Sequence, residues 1–316
     1  MGRSFRYLFS VVATGALFAG CGPAVPPPSE YGSVNTTSAR RATTDNGWLY
    51  VANDAFSVGI VYVFGFPDPY SVRTKAIEKL GYVYGPCADS SGHVWIPAHA
   101  HGGPAVFEFK AGGTKSIAKL DLPRKTGIGA CAVDPVTGNL AVVGTASVNV
   151  FANAEGNATN YSLGDLQVVA CTYDGQGNLF VDGAKPVTTS HWVFALYELP
   201  KGAKTFTAIT LDKRVGSAGG LQWDGTDIAL ATGGDGIKPV IYRVSVSGSK
   251  GTVVQSVHLS GLTFNAWFAL ADGEVAGTSG LYGPRIRVWR YPAGGNWQWE
   301  LRGFQTEGMA IAVVSS

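Results

Sequence analysis

Charge is scarce in this chain. Asp, Glu, Lys and Arg make up 15% of its 316 residues, methionine occurs twice and cysteine four times. So little charge beside 46% hydrophobic residues excludes an intrinsically disordered chain. The net charge is +2, and the two surplus cations are Arg3 and Arg6; from Cys21 onward 22 basic residues face 22 acidic ones. That balance gives no electrostatic footing for nucleic acid or an anionic membrane surface, and neither is expected as a partner. Beyond the first 20 positions no apolar run is long enough to span a bilayer as a helix. A CxxC pair, a phosphate-cradling glycine loop and a nucleophile-elbow serine are also missing. No cofactor is expected.

What the chain has in quantity is glycine, 43 residues, spread through a repeat that begins near Trp48. Each copy opens on a short β-prone segment with small residues, turns, and continues as an apolar strand. Gly85-Pro86-Cys87-Ala88-Asp89 is followed by Gly92-His93-Val94-Trp95-Ile96. Gly129-Ala130-Cys131-Ala132-Val133-Asp134 is followed by Gly138-Asn139-Leu140-Ala141-Val142. With Cys87, Cys131, Cys171, Leu221, Trp267 and Met309 taken as equivalent, the spacings are 44, 40, 50, 46 and 42. That is the period of a four-stranded propeller blade, and the alternation in Phe107-Glu108-Phe109-Lys110 favours strands over helices.

Six hairpin turns follow the third strands, from Phe66-Pro67-Asp68-Pro69 to Pro292-Ala293-Gly294-Gly295. The expected fold is therefore all-β: a six-bladed β-propeller with four-stranded blades, spanning residues 46 to 316. Its last strand, Gly308 to Val314, should be the innermost strand of the blade whose other strands span residues 47 to 79. A seventh blade stays open if residues 30 to 45 hold a strand.

The first 20 residues read as a secretory signal, with Arg3 and Arg6 ahead of a short apolar core. Leu17-Phe18-Ala19-Gly20-Cys21 resembles the bacterial lipobox, with Phe18 where Leu is usual, so Cys21 is expected to carry lipid. Ordinary signal cleavage nearby, with Cys21 a bystander, is the alternative. Residues 21 to 45, with Pro26-Pro27-Pro28, read as a tether. The expected location is the outer face of a bacterial membrane, periplasmic or extracellular, and the expected state a monomer held there through the lipid alone.

Leu49-Tyr50-Val51-Ala52-Asn53, Thr137-Gly138-Asn139-Leu140, Gln176-Gly177-Asn178-Leu179 and Val148-Asn149-Val150-Phe151 resemble the NHL- and YVTN-type repeats of the TolB-like propeller superfamily. The resemblance implies a six-bladed or related propeller, in a group that includes periplasmic lipoproteins. It implies no particular activity, because these residues are turns and core positions. Gluconolactonase- and regucalcin-type lactonases resemble the chain in fold. That likeness implies an axial divalent cation, for which only Glu307 and Asn265 match as donors.

Other residues invite a chemical reading. Asp89, Asp134, Asp174 and Asp224 recur at one place in the repeat, where Asp caps a turn through nearby backbone. Cys87, Cys131 and Cys171 are equivalent on successive inner strands. A metal site or a disulfide is the sharp reading, but a ring of inner strands should hold them beyond about 7 Å, so packing is expected. The loops between second and third strands carry Asp54, His99, His101, Asp182, His191 and Asp235, with Tyr282 nearby as an exposed ring. His99 and His101 alternate on one side of an extended segment, as a zinc or copper pair would need if a third ligand converged. The tryptophans are expected mostly to pack between blades. The function expected is non-enzymatic: a binding or scaffold module offering its loop face to a protein, peptide or glycan. A metal-dependent lactonase is the alternative.

Overall fold

The computed structural model describes residues 47–53, 59–70, 72–124, 126–188, 191–234, 236–262, 267–279, 285–304 and 306–313. Cys21, Asp54, Asp235, Asn265 and Tyr282 lie outside them, and the side chain of Glu307 is not described.

The described chain is all-β apart from one turn of 3-10 helix at Ala152–Ala154. β1 (Gly47–Asn53), β2 (Ile60–Phe66) and β3 (Lys75–Ile77) form a sheet with the last strand, β25 (Thr306–Val313), in the order β25-β1-β2-β3. The C-terminal strand thus completes the N-terminal sheet, pairing Gly47 with Val313 and Val51 with Met309. The next sheet holds β4 (Tyr82–Val83) and β5 (Cys87–Ala88), both paired with β6 (His93–Ala100), then β7 (Gly103–Lys110) and β8 (Ala118–Asp121). β9 (Cys131–Val133), β10 (Leu140–Val143), β11 (Ser147–Phe151) and β12 (Thr159–Ser162) follow as a four-stranded meander.

An eight-stranded sheet comes next, made of two such meanders. One is β13 (Gln167–Tyr173), β14 (Leu179–Thr188), β15 (His191–Leu199) and β16 (Thr207–Leu211). The other is β17 (Leu221–Trp223), β18 (Ile228–Gly234), β19 (Ile237–Ser247) and β20 (Lys250–Val257). They are joined where β16 pairs in parallel with β20 through Thr210–Lys250 and Leu211–Gly251. β21 (Phe268–Ala271), β22 (Glu274–Ser279), β23 (Arg285–Arg290) and β24 (Trp299–Arg302) make the last meander.

The first strands of these meanders touch in a cycle, β25 to β5, β9, β13, β17, β21 and back to β25. The arrangement is propeller-like, and the pattern of burial says what holds it. Leu49, Tyr50, Val51 and Ala52 of β1 are all fully buried although successive side chains point to opposite faces. Leu49 and Val51 pack with Phe64, Ile286 and Val288, while Tyr50 and Ala52 pack with Val94, Ile96 and Phe109. Each face of the sheet is thus covered by a different neighbour. Every seam between consecutive meanders has such an apolar cluster among the described residues.

The turns from first to second strands follow the expectation. Asp89 Oδ1 accepts the backbone N–H groups of Ser91 and His93, at 2.9 and 2.8 Å. Asp174 Oδ1 accepts those of Gln176 and Asn178, and Asp224 Oδ1 those of Thr226 and Asp227. Asp134 takes Val136 N–H and the Thr137 hydroxyl. The repeated aspartates are turn caps.

Two of the three cysteines do not follow theirs, while Cys171 packs as expected. Cys87 and Cys131 form a disulfide with their Cα atoms 5.4 Å apart, and Cys171 is a buried free thiol. The inner strands come closer than the expected ring radius because the residues just before them are small. A Cβ on Gly85 would sit 3.0 Å from that of Ala130, and one on Gly308 would sit 2.3 Å from the Gly85 Cα atom. Gly308 also has φ +148°, where L side chains are strained. Backbone meets backbone across these seams, and Cys131 N–H donates to Gly85 C=O at 3.1 Å.

Candidate functional site

Two concave places stand out, at opposite ends of the strands. The first is an axial cavity of about 410 Å³, lined by the first strands of every meander. Its mouth lies among the turn residues Asp89, Ser90, Ser91, Asp134 and Pro135. That is the end away from the hairpins between second and third strands. At the hairpin end the axis is narrowed by the small residues already described and by Trp267, whose ring lies 3.7 Å from where a Gly85 Cβ would stand.

The cavity wall has polar groups, but they serve the ring. Gln222 reaches the next meander, donating to Phe268 C=O at 3.0 Å and accepting Leu270 N–H at 2.9 Å. Thr172 Oγ1 accepts Trp223 N–H at 2.9 Å. An innermost strand has no neighbour strand on its axial edge, so these side chains take up backbone groups that a sheet would otherwise pair. Burial pushes the Cys171 thiol well up, with the nearby Asp182 charge adding to it; a thiol held protonated is a poor nucleophile. The cavity therefore presents a disulfide, apolar side chains and committed polar groups rather than an acid–base pair.

The residues expected on the hairpin face divide. His99 is the last residue but one of β6 and is exposed; His101 is exposed in the turn that follows. His191 opens β15, two meanders further round, and is exposed as well. Among the described residues no three His, Cys, Asp or Glu side chains come together as metal ligands.

Asp182 corrects its expected place. It is not in a loop but fully buried within β14, next to a bulge in β13. Its Oδ1 accepts Ala170 N–H at 3.0 Å, and its Oδ2 accepts Gly219 N–H at 3.3 Å from the following meander. It ties a seam. Thr232, in the second strand of the following meander, instead holds the lead into its own first strand, accepting Gly216 N–H at 3.1 Å and donating to Ser217 C=O. The run Leu179-Phe180-Val181 ahead of Asp182 is the sequence signal that the carboxylate would sit in a buried strand.

Burial pushes the Asp182 carboxyl up to about 8 from 3.8, against the pull of its backbone N–H donors. Between those values the folded chain keeps a proton that the unfolded chain has lost, so this group's stabilising contribution falls as pH rises from about 4 to about 8. Urea unfolding at pH 4.5 and pH 8 checks this. Relative to Asp182→Asn, the wild type should lose stability on the order of a few kcal/mol across the interval. Equal pH slopes in the two proteins would refute it.

The second concavity is a groove of about 490 Å³ beside the upper half of β15, lined by Trp192, Phe194, Leu211, Lys213, Arg214 and their neighbours. Trp192 is 46% exposed, and Val187 on the paired strand 60%. Trp192 thus departs from the expectation of packing between blades. No motif announced this groove. It arises because a third strand outruns the fourth strand that should cover it.

No protein-family model matches the chain, and no curated protein matches its sequence. Solved structures do match. TolB from Acinetobacter baumannii superposes with a TM-score of 0.57 at 13% identity, over 84% of this chain and 66% of that one. A protein of unknown function from Bacteroides caccae gives 0.58 at 13% identity, over 84% and 99% of the two chains. A functionally unknown protein from Desulfotomaculum acetoxidans gives 0.51 at 14%, over 84% and 88%. The fold is of the propeller type. At these identities the likeness is one of fold alone, and this chain spans just under two thirds of the TolB chain. Among the described residues no helix is long and apolar enough to cross a membrane.

Proposed function

We propose that this protein is an exported, lipid-anchored, six-bladed propeller acting as a non-enzymatic binding or scaffold module at the cell envelope. The blade count rests on the cycle of first strands, with the eight-stranded sheet counted as two blades joined at β16 and β20. The export and lipid parts rest on the signal-like segment and Cys21.

One observation carries the functional reading. Gly47 pairs with both Val313 and Phe66, so the chain enters the ring at its turn end. A stem from Cys21 would attach there. The hairpin face, with His99, His101, His191 and Trp192, is at the other end and would point away from the membrane. A module held by its turn end offers its far face to a partner, and the exposed apolar surface of β14 and β15 lies on that face.

Cell fractionation and metal analysis test this together. Wild-type protein should sediment with membranes and take up radiolabelled palmitate, while Cys21→Ser should lose the label and leave the membrane fraction. Identical fractionation of the two proteins would remove the anchor from the reading. A stoichiometric divalent cation in the purified full-length protein, lost in Glu307→Ala, would replace the binding module with the metal-dependent hydrolase.

A further inference from the structure

At the outer edge of the last meander, β23 and β24 pair Arg285 with Arg302 and Arg287 with Glu300. Paired residues, and residues two apart on one strand, point to the same side of a sheet. The four side chains therefore form the corners of one square, three cations and one anion. Ile286 and Leu301, between them in sequence, face the other way and are buried in the seam with β1.

Glu300 holds the square together. Its Oε2 accepts Arg287 Nε–H at 2.7 Å and Arg285 Nη1–H at 3.4 Å, and its Oε1 accepts Arg302 Nε–H at 2.6 Å. Burial raises the Glu300 carboxyl, but the bonds from Arg302 and Arg287 outweigh it and leave it below the usual carboxylate range. Glu300 stays ionised, so three arginines less one carboxylate leave two positive charges in excess. Among the described residues these arginines have no other carboxylate partner, and residues 280–284, just ahead of Arg285, include no Asp or Glu.

The three arginines differ. Arg287 is fixed: its side chain is 13% exposed, its guanidinium lies 4.9 Å from the Trp297 ring centroid, and a Cβ on Gly261 would come within 2.1 Å of it. Arg285 and Arg302 are 37% and 49% exposed. Each gives Glu300 a single N–H and keeps the rest of its fork. They stand directly opposite on neighbouring strands, with Cβ atoms about 5 Å apart. Like charges so placed weaken a sheet, and Arg287 by itself would neutralise Glu300. Fastening β23 to β24 therefore does not account for Arg285 and Arg302. Two forks with spare donors, and two charges in excess, match a doubly charged tetrahedral oxyanion.

We propose that Arg285 and Arg302 clamp a phosphate dianion, either free or as a phosphate monoester, while Arg287 and Glu300 hold the two forks in place. This goes beyond the binding-module reading and depends on neither the hairpin face nor the lipid.

Calorimetric titration of glucose 6-phosphate into full-length protein in detergent, at low salt and pH 8, should saturate at one site. Arg285→Gln/Arg302→Gln should weaken binding at least tenfold. Arg285→Lys/Arg302→Lys, which keeps the charge but loses the forks, should weaken it about threefold. A monoester loses its second charge near about pH 6, so its affinity should fall at least fivefold at pH 5. Sulfate, doubly charged at both pH values, should bind equally at both. Inorganic phosphate separates the sources: binding as tight as that of the sugar phosphate assigns the clamp to the free anion, and tenfold weaker binding assigns it to an ester.

The Gln variant should melt within about 2 °C of the wild type, because exposed ion pairs contribute little, and glucose 6-phosphate should raise the melting temperature of the wild type alone. No saturable binding, binding by either variant equal to that of the wild type, or an affinity for the sugar phosphate unchanged between pH 8 and pH 5 overturns the proposal.

Discussion

Deleting the last nine residues, from Gly308 onward, is expected to abolish cooperative unfolding and leave an aggregating chain. β25 is the innermost strand of the N-terminal sheet, pairing from Gly47–Val313 to Asn53–Thr306. Met309 and Ala312, both buried, lie on its opposite faces: Met309 packs with Leu49, Phe64 and Val288, and Ala312 with Tyr50 and Val94. Losing the strand therefore opens two seams at once and strips one edge of β1. It also breaks the cycle at two points, because β25 touches β21 on one side and β5 on the other. In a ring each sheet is covered on both faces only while the ring is closed, so the damage cannot stay local. Calorimetry of the truncated chain should give no single sharp transition. A transition as sharp and as hot as the wild type's would mean that β25 is dispensable and the closed-ring account is wrong.

The same closure explains which features could be read from sequence. Strand order and the C-terminal clasp were legible because the unit repeats: a turn-capping Asp and a Gly-rich turn recur at nearly fixed intervals, and each fixes the start of a second strand. The turn role of Asp89, Asp134, Asp174 and Asp224 was legible for the same reason.

Distances across the seams were not. The approach of Cys87 to Cys131 depends on Gly85, Ala130 and Gly308 meeting face to face, a relation among three different units that no local pattern encodes. The sequence reading puts Asp182 in a loop between second and third strands. Here a bulge leaves Ala170 N–H, and the next meander leaves Gly219 N–H, both needing an acceptor in the core. The groove at Trp192 depends on which partner β16 chooses after Ile209. The residues of β16, Thr-Ala-Ile-Thr-Leu, suit either partner.

The disulfide carries the second large expectation. Cys87 and Cys131 lie on first strands of consecutive sheets, so their bond fastens one seam at its inner end and closes a loop of 44 residues. For a loop of that length the constraint on the unfolded chain contributes about 4 kcal/mol. Both sulfurs also sit in the cluster of Trp95, Val106, Leu140 and Phe151, so replacing them loses some packing as well. Cys87→Ala/Cys131→Ala should therefore unfold roughly 10 °C lower than the wild type, and the wild type should fall by a similar amount in excess dithiothreitol.

Cys171→Ala is the control: equally buried and on the next first strand, but unbridged, it should cost only about 1 kcal/mol. Dithiothreitol should lower the melting temperature of Cys171→Ala as much as that of wild type, and leave Cys87→Ala/Cys131→Ala unchanged. If the double alanine variant melts within a degree or two of the wild type, the bond is not what fastens that seam. The small residues that bring the strands together would then be sufficient by themselves.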